Sequence, residues 1–161
     1  GYLDWIDKLC CRIYTIRNTN AKNGGMAMAN TGDSFEIVLS QSHIAWGTYR
    51  FTNSREPISG EGYIPIPLNE ARRLGLFNGN GTNHVDIWGE NLFECESVDG
   101  YFHGILRAQG GRSSGDIYAK QFAGSGDLKA LGRWYTQIDA KPGDRIRVYW
   151  ISKVKIQIEK L

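Results

Sequence analysis

The stretch RFTNSREPISGEGYIPIP, from Arg50 to Pro67, decides the fold because it joins a polar, cationic loop to a short apolar strand. The loop carries Arg50, Asn53, Arg55 and Glu56, whose side chains suit the reading of hydrogen-bond patterns. The apolar end, GYIPIP, carries prolines that suit a strand end running into a helix start rather than a central strand of a sheet. A polar loop at the mouth of a strand indicates a binding surface.

A second loop of the same character lies between Arg107 and Lys120, in the sequence LRAQGGRSSGDIYAKQF. This loop also follows a predicted buried strand, and it is rich in cationic, amide and hydroxyl side chains. Two such loops predict a pair of arms that close on a partner like a clamp.

The composition is that of an ordinary soluble globular protein with a single domain. The chain has 161 residues, of which 41% are hydrophobic and 22% charged, which is enough to bury a core without disulfides. There are 19 basic and 17 acidic residues, so the net charge is only +2 and any basic surface must be local. The second loop has such an excess, with Arg107, Arg112 and Lys120 against Asp116 alone.

The cysteines and histidines form no recognisable metal site. The cysteines are odd in number and lack CxxC spacing, so we expect them to be reduced packing residues of a cytoplasmic protein. The cysteines are Cys10, Cys11 and Cys95, and the histidines are His43, His84 and His103.

No apolar run approaches the length of a membrane span and no signal peptide is recognisable, so no membrane partner is expected. The sequence opens without methionine, as an excised piece of a larger protein would.

Short alternating runs, with 20 glycines, 5 tryptophans and 8 tyrosines, predict a β-rich fold. Turns are predicted at Glu90–Asn91, at Asp99–Gly100 and over Lys141–Asp144. The predicted strands are CRIYTIR, FEIVLS, GYIPIP, HVDIWGE, LFECESV, YFHGIL, RIRVYWI and VKIQIE.

Helices are predicted for YLDWIDKL, for LNEARRLGL with Gly75 near its end, and for SGDLKALGRW with Ser125 as its cap. Asn18 to Asp33 is predicted to be a polar loop. The sum is a mainly β fold, a seven- to eight-stranded open pseudobarrel or barrel, with two or three short helices plugging its ends.

In this order the segments resemble the B3-like DNA-binding pseudobarrel, which is found as the specificity domain of restriction endonucleases. The resemblance covers about residues 43 to 158. Residues 1–42, predicted as an amino-terminal helix, strand and loop, go beyond the minimal domain, and residues 43–161 would form the B3-like core. The most specific pieces are REP..GEGYIPIP (Arg55 to Pro67), LRAQ (Leu106 to Gln109), LGRW (Leu131 to Trp134) and KPGD (Lys141 to Asp144).

The resemblance implies a domain that binds double-stranded DNA and inserts two arms into one major groove. The first arm would be His43 to Gly62 and the second arm Arg107 to Phe122. Arginine suits guanine, amides suit adenine, and carboxylates accept from the cytosine amino group, whereas serines and some lysines would contact phosphates. The residues expected at the DNA are His43, Trp46, Tyr49, Arg50, Asn53, Arg55 and Glu56 in the first arm, and Arg107, Gln109, Arg112, Ser113, Ser114, Asp116, Tyr118 and Lys120 in the second.

Several of these residues also have plain structural interpretations. An alternative for Arg55 and Glu56 is a surface salt pair, which would contribute little to stability. Trp46 is favoured as an anchor of the first arm over a base contact. The glycines of the second arm suit a flexible turn as well as they suit close approach to a backbone.

No catalytic constellation is recognisable in the sequence. A metal-dependent nuclease needs two acidic ligands and usually a nearby lysine. Glu94 and Glu96 share a strand face, but no lysine follows at the required spacing. We therefore expect neither enzymatic activity nor a cofactor in this domain. In a prokaryotic restriction enzyme, a covalently linked nuclease or other effector domain would cleave the DNA and hold any Mg²⁺.

Two other functions stay open. A reader of modified or flipped bases would need an aromatic cage, for which Trp46, Tyr49 and Trp88 are candidates. A small β-barrel that binds carbohydrate or protein through exposed aromatics is the other. Salt dependence separates this last function from the DNA binders, because phosphate contacts make affinity fall steeply with ionic strength. The sequence predicts neither a recognition site nor an oligomeric state.

Overall fold

The computed structural model describes residues 28–50, 55–80, 86–113 and 115–161. The strands within these ranges are β1 (Ser34–Val38), β2 (Ile64–Pro65), β3 (Leu92–Ser97), β4 (His103–Gln109), β5 (Gln121–Gly124), β6 (Arg145–Trp150) and β7 (Lys155–Lys160). They form one seven-stranded sheet in the order β1-β6-β7-β3-β4-β5-β2. Neighbouring strands are antiparallel except β3 and β7, which are parallel.

The barrel stays open between β1 and β2, which are the two edges of the sheet. The Ile66 N–H donates to the Lys120 carbonyl (2.8 Å), so the backbone groups of Ile64 and Ile66 face β5 and those of Pro65 face the opening. Because proline has no N–H, Pro65 offers no donor with which β1 could extend the sheet. A cleft of about 400 Å³ lies between the two edges.

Four short helices lie among the described residues, namely α1 (Gln41–Ile44), α2 (Trp46–Tyr49), α3 (Leu68–Leu74) and α4 (Ala130–Gln137). None of these is long and apolar enough to cross a lipid bilayer. α3 begins directly after Pro67 and ends at Gly75, whose left-handed φ of +65° suits a glycine cap. Arg73 of α3 donates to the Ser34 carbonyl of β1 (2.9 Å). This helix therefore connects the two edges of the sheet.

α4 links the core to the segment that enters β2. Its Leu131, Trp134 and Tyr135 are buried. The Tyr135 hydroxyl donates to the Tyr63 carbonyl (2.8 Å), and the Trp134 indole donates to the Asp99 carboxylate (3.0 Å). The helix is thereby fixed at both the β3–β4 turn and the start of β2.

Three aromatic side chains from different strands form the centre of the core. Phe93 of β3 meets Phe122 of β5 and Trp150 of β6 edge to face, at centroid distances of 5.7 and 5.9 Å. All three are fully buried. Burial of each stabilises the fold by about 1.5–3 kcal/mol, and each ring pair adds roughly 0.5–1.5 kcal/mol. The neighbouring Cys95 is also buried, and burial raises the pKa of its thiol, so it is a packing residue as expected.

The prediction of a mainly β, open pseudobarrel is confirmed by this sheet. FEIVLS, LFECESV, RIRVYWI and VKIQIE form strands, LNEARRLGL forms α3, and chain reversals lie at Asp99–Gly100 and Lys141–Asp144. The terminal helix YLDWIDKL, the strand CRIYTIR, Cys10, Cys11, His84 and most of the Asn18 to Asp33 loop lie outside the described residues.

Some details of the secondary-structure prediction were wrong. Residues 86–90 form a turn with a single bridge between Trp88 and Leu92, because the Asn91 side chain accepts from the Ile87 N–H (2.7 Å). The last helix begins at Ala130 with Lys129 at its N-cap, and Ser125 does not cap it. α1 and α2 are single turns that the sequence pattern did not indicate.

Gly132 of α4 is in close backbone contact with the loop before β2. A Cβ atom at Gly132 would lie 2.0 Å from the Gly60 oxygen, and one at Gly62 would lie 3.0 Å from the Gly132 Cα. Only glycine fits at positions 132 and 62 without movement of the backbone. This contact fixes the root of the first arm on α4.

Replacing Gly132 tests that contact. Helix propensity alone favours alanine over glycine by about 1 kcal/mol. The clash with Gly60 should outweigh this gain, and we expect Gly132→Ala to lower the free energy of unfolding by about 1–3 kcal/mol in urea titrations. Gly104→Ala is the control, because its Cβ would meet its nearest atom at 3.7 Å. A Gly132→Ala protein as stable as the wild type would contradict the packing described here.

Ser40 and His43 form a reciprocal cap on α1. The His43 N–H donates to the Ser40 hydroxyl (3.4 Å), and the Ser40 N–H donates to His43 Nδ1 (2.9 Å). Because Nδ1 accepts, the proton of the neutral imidazole is on Nε2. Burial lowers the pKa of His43 from its ordinary value of 6.5, so the folded chain favours the neutral ring.

This lowered pKa predicts a pH-dependent stability. The unfolded chain binds the proton more readily than the folded chain, so the contribution is complete above pH 6.5 and is lost as the pH falls through the folded-state pKa. We expect the free energy of unfolding to decrease between about pH 8 and about pH 5, and less steeply in His43→Gln, whose side-chain oxygen preserves an acceptor. The exposed His103→Gln is the control. Identical pH profiles for wild type and His43→Gln would refute the assignment.

Candidate nucleic-acid interface

The described part of the first arm consists of α1, α2 and residues 55–62, and its root is compact. The Gly47 N–H donates to the Glu61 carbonyl (3.2 Å). A Cβ atom at Gly47 would lie 1.9 Å from the Ile58 oxygen, so the outgoing and returning backbones are in direct contact. Asn53 lies outside the described residues, as do its neighbours from 51 to 54.

An aromatic cluster anchors the first arm to the barrel. Tyr63 is buried, and the rings of His43 and Trp46 meet it edge to face at 5.2 and 5.4 Å. The Arg50 guanidinium lies 5.9 Å from the centroid of the Trp46 ring, within the range of a cation–π contact. Trp46 therefore acts as an anchor, the role that the sequence favoured for it.

Arg55 pairs with Glu61 rather than with the side chain of Glu56. Arg55 Nη2 contacts Glu61 Oε1, and Arg55 Nη1 donates to the Glu56 carbonyl (3.2 Å). The Glu61 side chain is 1% exposed, whereas that of Arg55 is 34% exposed. The cation thus covers a buried carboxylate and still reaches solvent. Tyr49 and Glu56 are also exposed.

The second arm is shaped by Asp116. Its carboxylate accepts from the backbone N–H groups of Tyr118 (3.2 Å) and Arg112 (3.4 Å), and its carbonyl accepts from the Asn78 side chain (3.3 Å). An aspartate that accepts from the backbone of its own loop holds that loop in one conformation. In the described residues Asp116 is therefore a shaping group of the second arm. Ser113 is exposed, and Ser114 lies outside the described residues.

Arg112 joins the second arm to the residue that follows β2. Its Nη2 donates to the Ile66 carbonyl (2.6 Å), directly after β2. Arg112 and Lys120 line the cleft between β1 and β2 together with His43, Tyr63 and the rings of Pro65 and Pro67. Among the described residues, no acidic side chain lines this cleft. Because His43 is neutral, the two cations give the cleft a positive potential.

Other predicted contacts of the second arm lie on the body of the barrel. Arg107 of β4 donates to the Gly79 carbonyl (2.6 Å) and lies 3.5 Å from the Asp86 carboxylate. Tyr118 stacks on Phe77 at 5.7 Å. Gln109 is a partly buried residue of β4, paired in register with Gln121 of β5. Arg107 and Tyr118 hold neighbouring segments in place, whatever else they contact.

Of the aromatic residues considered for a base-reading cage, Trp46 and Tyr49 lie on α2, whereas Trp88 lies in another part of the fold. Trp46 packs on Tyr63 at the root of the first arm. Trp88 lies in the turn before β3 and bridges to Leu92, in the middle of the sheet order. No contact among the described residues brings these two rings together.

Sequence reasoning missed Glu61 and the Ile66 carbonyl. Glu61 sits between two glycines at the start of an apolar segment, GEGYIPIP. A carboxylate in such a position has to be paired if it is buried, and Arg55 is the nearest preceding arginine. That signal was available in the printed residues. The backbone partner of Arg112 was not, because it depends on how the arm folds back.

Comparison with known proteins adds one finding. No family model matches the sequence, and no curated protein matches it. A chain of the solved Arabidopsis FUS3–DNA complex is similar, with a TM-score of 0.44 and 14% sequence identity, over 78% of this chain and 93% of that one.

Proposed function

We propose that this chain binds double-stranded DNA sequence-specifically, with its two arms in one major groove, as the target-recognition domain of a restriction endonuclease or related defence protein. The observation that carries the proposal is the convergence of the arms at the open side of the barrel. His43 of the first arm lines the same cleft as Arg112 and Lys120 of the second arm.

The chemistry around this junction fits a polyanionic duplex. Arg112 and Lys120 stand at the cleft, and Arg50 and Arg55 lie in the described part of the first arm. The neighbouring groups that are polar and uncharged, including Ser113 and Gln109, suit phosphate and base contacts. The net charge of +2 is small, so a local surface of this kind would have to supply the electrostatic attraction.

The residues divide into those that shape the arms and those that reach outward. His43, Trp46 and Asp116 cap, anchor and shape the arms. Arg55, Arg112 and Lys120 are the outward cations for which exposure and position favour a DNA-facing role, Arg55 and Arg112 toward bases and Lys120 toward phosphates.

We also propose that the domain does not cleave DNA and that a linked effector domain, in the cytoplasm of a prokaryotic cell, does so. Glu96 pairs with Lys155 (3.5 Å) in the outer face of the sheet. Among the described residues, no three acidic, histidine or cysteine side chains are grouped as metal ligands.

Selection of bound duplexes from a random pool tests the proposed function. We expect a consensus of a few base pairs, and an affinity for it that falls steeply as salt is raised. The selected duplex should stay intact with this chain and Mg²⁺. Absence of duplex binding at low salt would overturn the proposal. Salt-insensitive binding of a glycan or protein instead would favour the alternative β-barrel function.

Two substitutions in the second arm separate base contacts from phosphate contacts. Arg112→Ala should weaken binding to the selected duplex by about 1–3 kcal/mol and relax the preference at one base pair. Lys120→Ala should weaken selected and scrambled duplexes alike and reduce the slope of log K against log salt by about 1. Titrations over several salt concentrations measure both effects. If Arg112→Ala weakens the two duplexes equally, Arg112 does not read a base.

A further inference from the structure

We propose that Glu61 is a positioning residue that holds the Arg55 guanidinium ready to contact the edge of a guanine. This inference rests on the proposed DNA binding and names one contact within it. Glu61 itself would not touch the DNA, because its side chain is 1% exposed.

The Arg55 guanidinium is held at two points. One is the Glu61 carboxylate, through Nη2, and the other is the Glu56 carbonyl, which accepts from Nη1 at 3.2 Å. Two bonds to different nitrogens fix the plane of the group as well as its place. A guanidinium has more N–H groups than these two bonds use, and the side chain is 34% exposed. The remaining donors are therefore available on its outer side.

The ion pair also prevents Arg55 from swinging away. Removing the partner of a buried carboxylate leaves an uncompensated charge, which is strongly destabilising. Within the part of the chain that the structure describes, the other carboxylate oxygen, Glu61 Oε2, is buried without a hydrogen-bond partner, so Arg55 is the group that compensates the carboxylate charge there. Because the buried Glu61 carboxylate needs this partner, the folded chain also keeps Arg55 in one rotamer.

The backbone beneath Glu61 is fixed too. Its N–H donates to the Ile58 carbonyl (3.1 Å), and its carbonyl accepts from the Gly47 N–H (3.2 Å). The next residue, Gly62, lies against Gly132 of α4. The guanidinium is therefore positioned relative to the barrel and not merely relative to the arm.

A fixed, planar pair of donors matches the two acceptors of guanine, O6 and N7, in the major groove. Such a contact loses little side-chain entropy on binding, because the rotamer is already selected. Lysine has the charge of arginine and can also reach guanine, but it lacks the planar fork and offers no fixed pair of donors. The ligand class that fits Arg55 is therefore a guanine edge.

The experiment measures affinities of the whole chain for the selected duplex, for a scrambled duplex, and for duplexes in which single guanines are replaced by 7-deazaguanine, which lacks the N7 acceptor. The wild type should lose affinity at one particular guanine. Glu61→Gln should bind the selected duplex about tenfold more weakly, bind the scrambled duplex unchanged, and lose its sensitivity at that guanine. Glu159→Gln is the control, since it breaks an ion pair with Arg147 between β6 and β7, outside both arms, and should behave as the wild type.

If Glu61→Gln does not fold, as judged by thermal unfolding, Arg55→Lys is tested instead, because it keeps a cation beside Glu61 but not the fixed fork, and its sensitivity at that guanine should be weaker than that of the wild type. A 7-deazaguanine profile unchanged in Glu61→Gln, or in Arg55→Lys when that variant carries the test, would overturn the inference. So would an equal loss on both duplexes. A wild type that does not discriminate between the duplexes would instead overturn the proposed function.

Discussion

The incomplete closure of the sheet is the constraint on which the rest of this structure depends. One hydrogen-bonding edge of β1 is paired with β6, and its other edge faces β2. The ring nitrogen of Pro65 faces the free edge of β1 and carries no hydrogen to donate. Pro65 therefore gives no backbone N–H with which β2 could bond to β1. The gap becomes a cleft, which His43 of the first arm lines together with Arg112 and Lys120 of the second arm. A closed barrel would have left no such place for residues of both arms to meet.

Three arginine side chains make contacts that hold the arms in place. Arg112 bonds to the Ile66 carbonyl, Arg55 to the Glu61 carboxylate, and Arg107 to the Gly79 carbonyl. For Arg112 and Arg107 the side-chain bond adds to a backbone hydrogen bond between neighbouring segments, from Ile66 to Lys120 and from Gly79 to Ala108. A guanidinium suits this task because it donates in several directions and stays charged. Substitution of such a residue therefore alters the shape of the surface as well as its charge, and binding data on these variants need a stability measurement beside them.

Regular elements with strong periodicity were predictable from the sequence, and contacts that depend on backbone placement were not. RIRVYWI and VKIQIE alternate in register with one buried face, and they form β6 and β7. Gly75 ends α3 as its position indicated. The one-turn helices α1 and α2 were missed because four residues hold too little periodicity to detect. At the site, the anchor role of Trp46 followed from its type, whereas the bond from Arg112 to the Ile66 carbonyl depends on a fold-back of the chain that no local pattern encodes.

The pairing of β1 with β6 joins residues that are far apart in the chain, such as Ser34 and Tyr149. The parallel pairing of β3 with β7 likewise joins Glu94 to Lys155. Bringing such distant segments together costs loop-closure entropy before any burial compensates for it. Three of the six strand pairings in this sheet, β1 with β6, β3 with β7 and β2 with β5, join strands that are not consecutive in the chain. We therefore expect the sheet to assemble slowly, on the order of milliseconds to seconds. During that interval the unpaired strands can pair with strands of other chains and aggregate. Dilute conditions or a chaperone should therefore improve the yield of refolded protein.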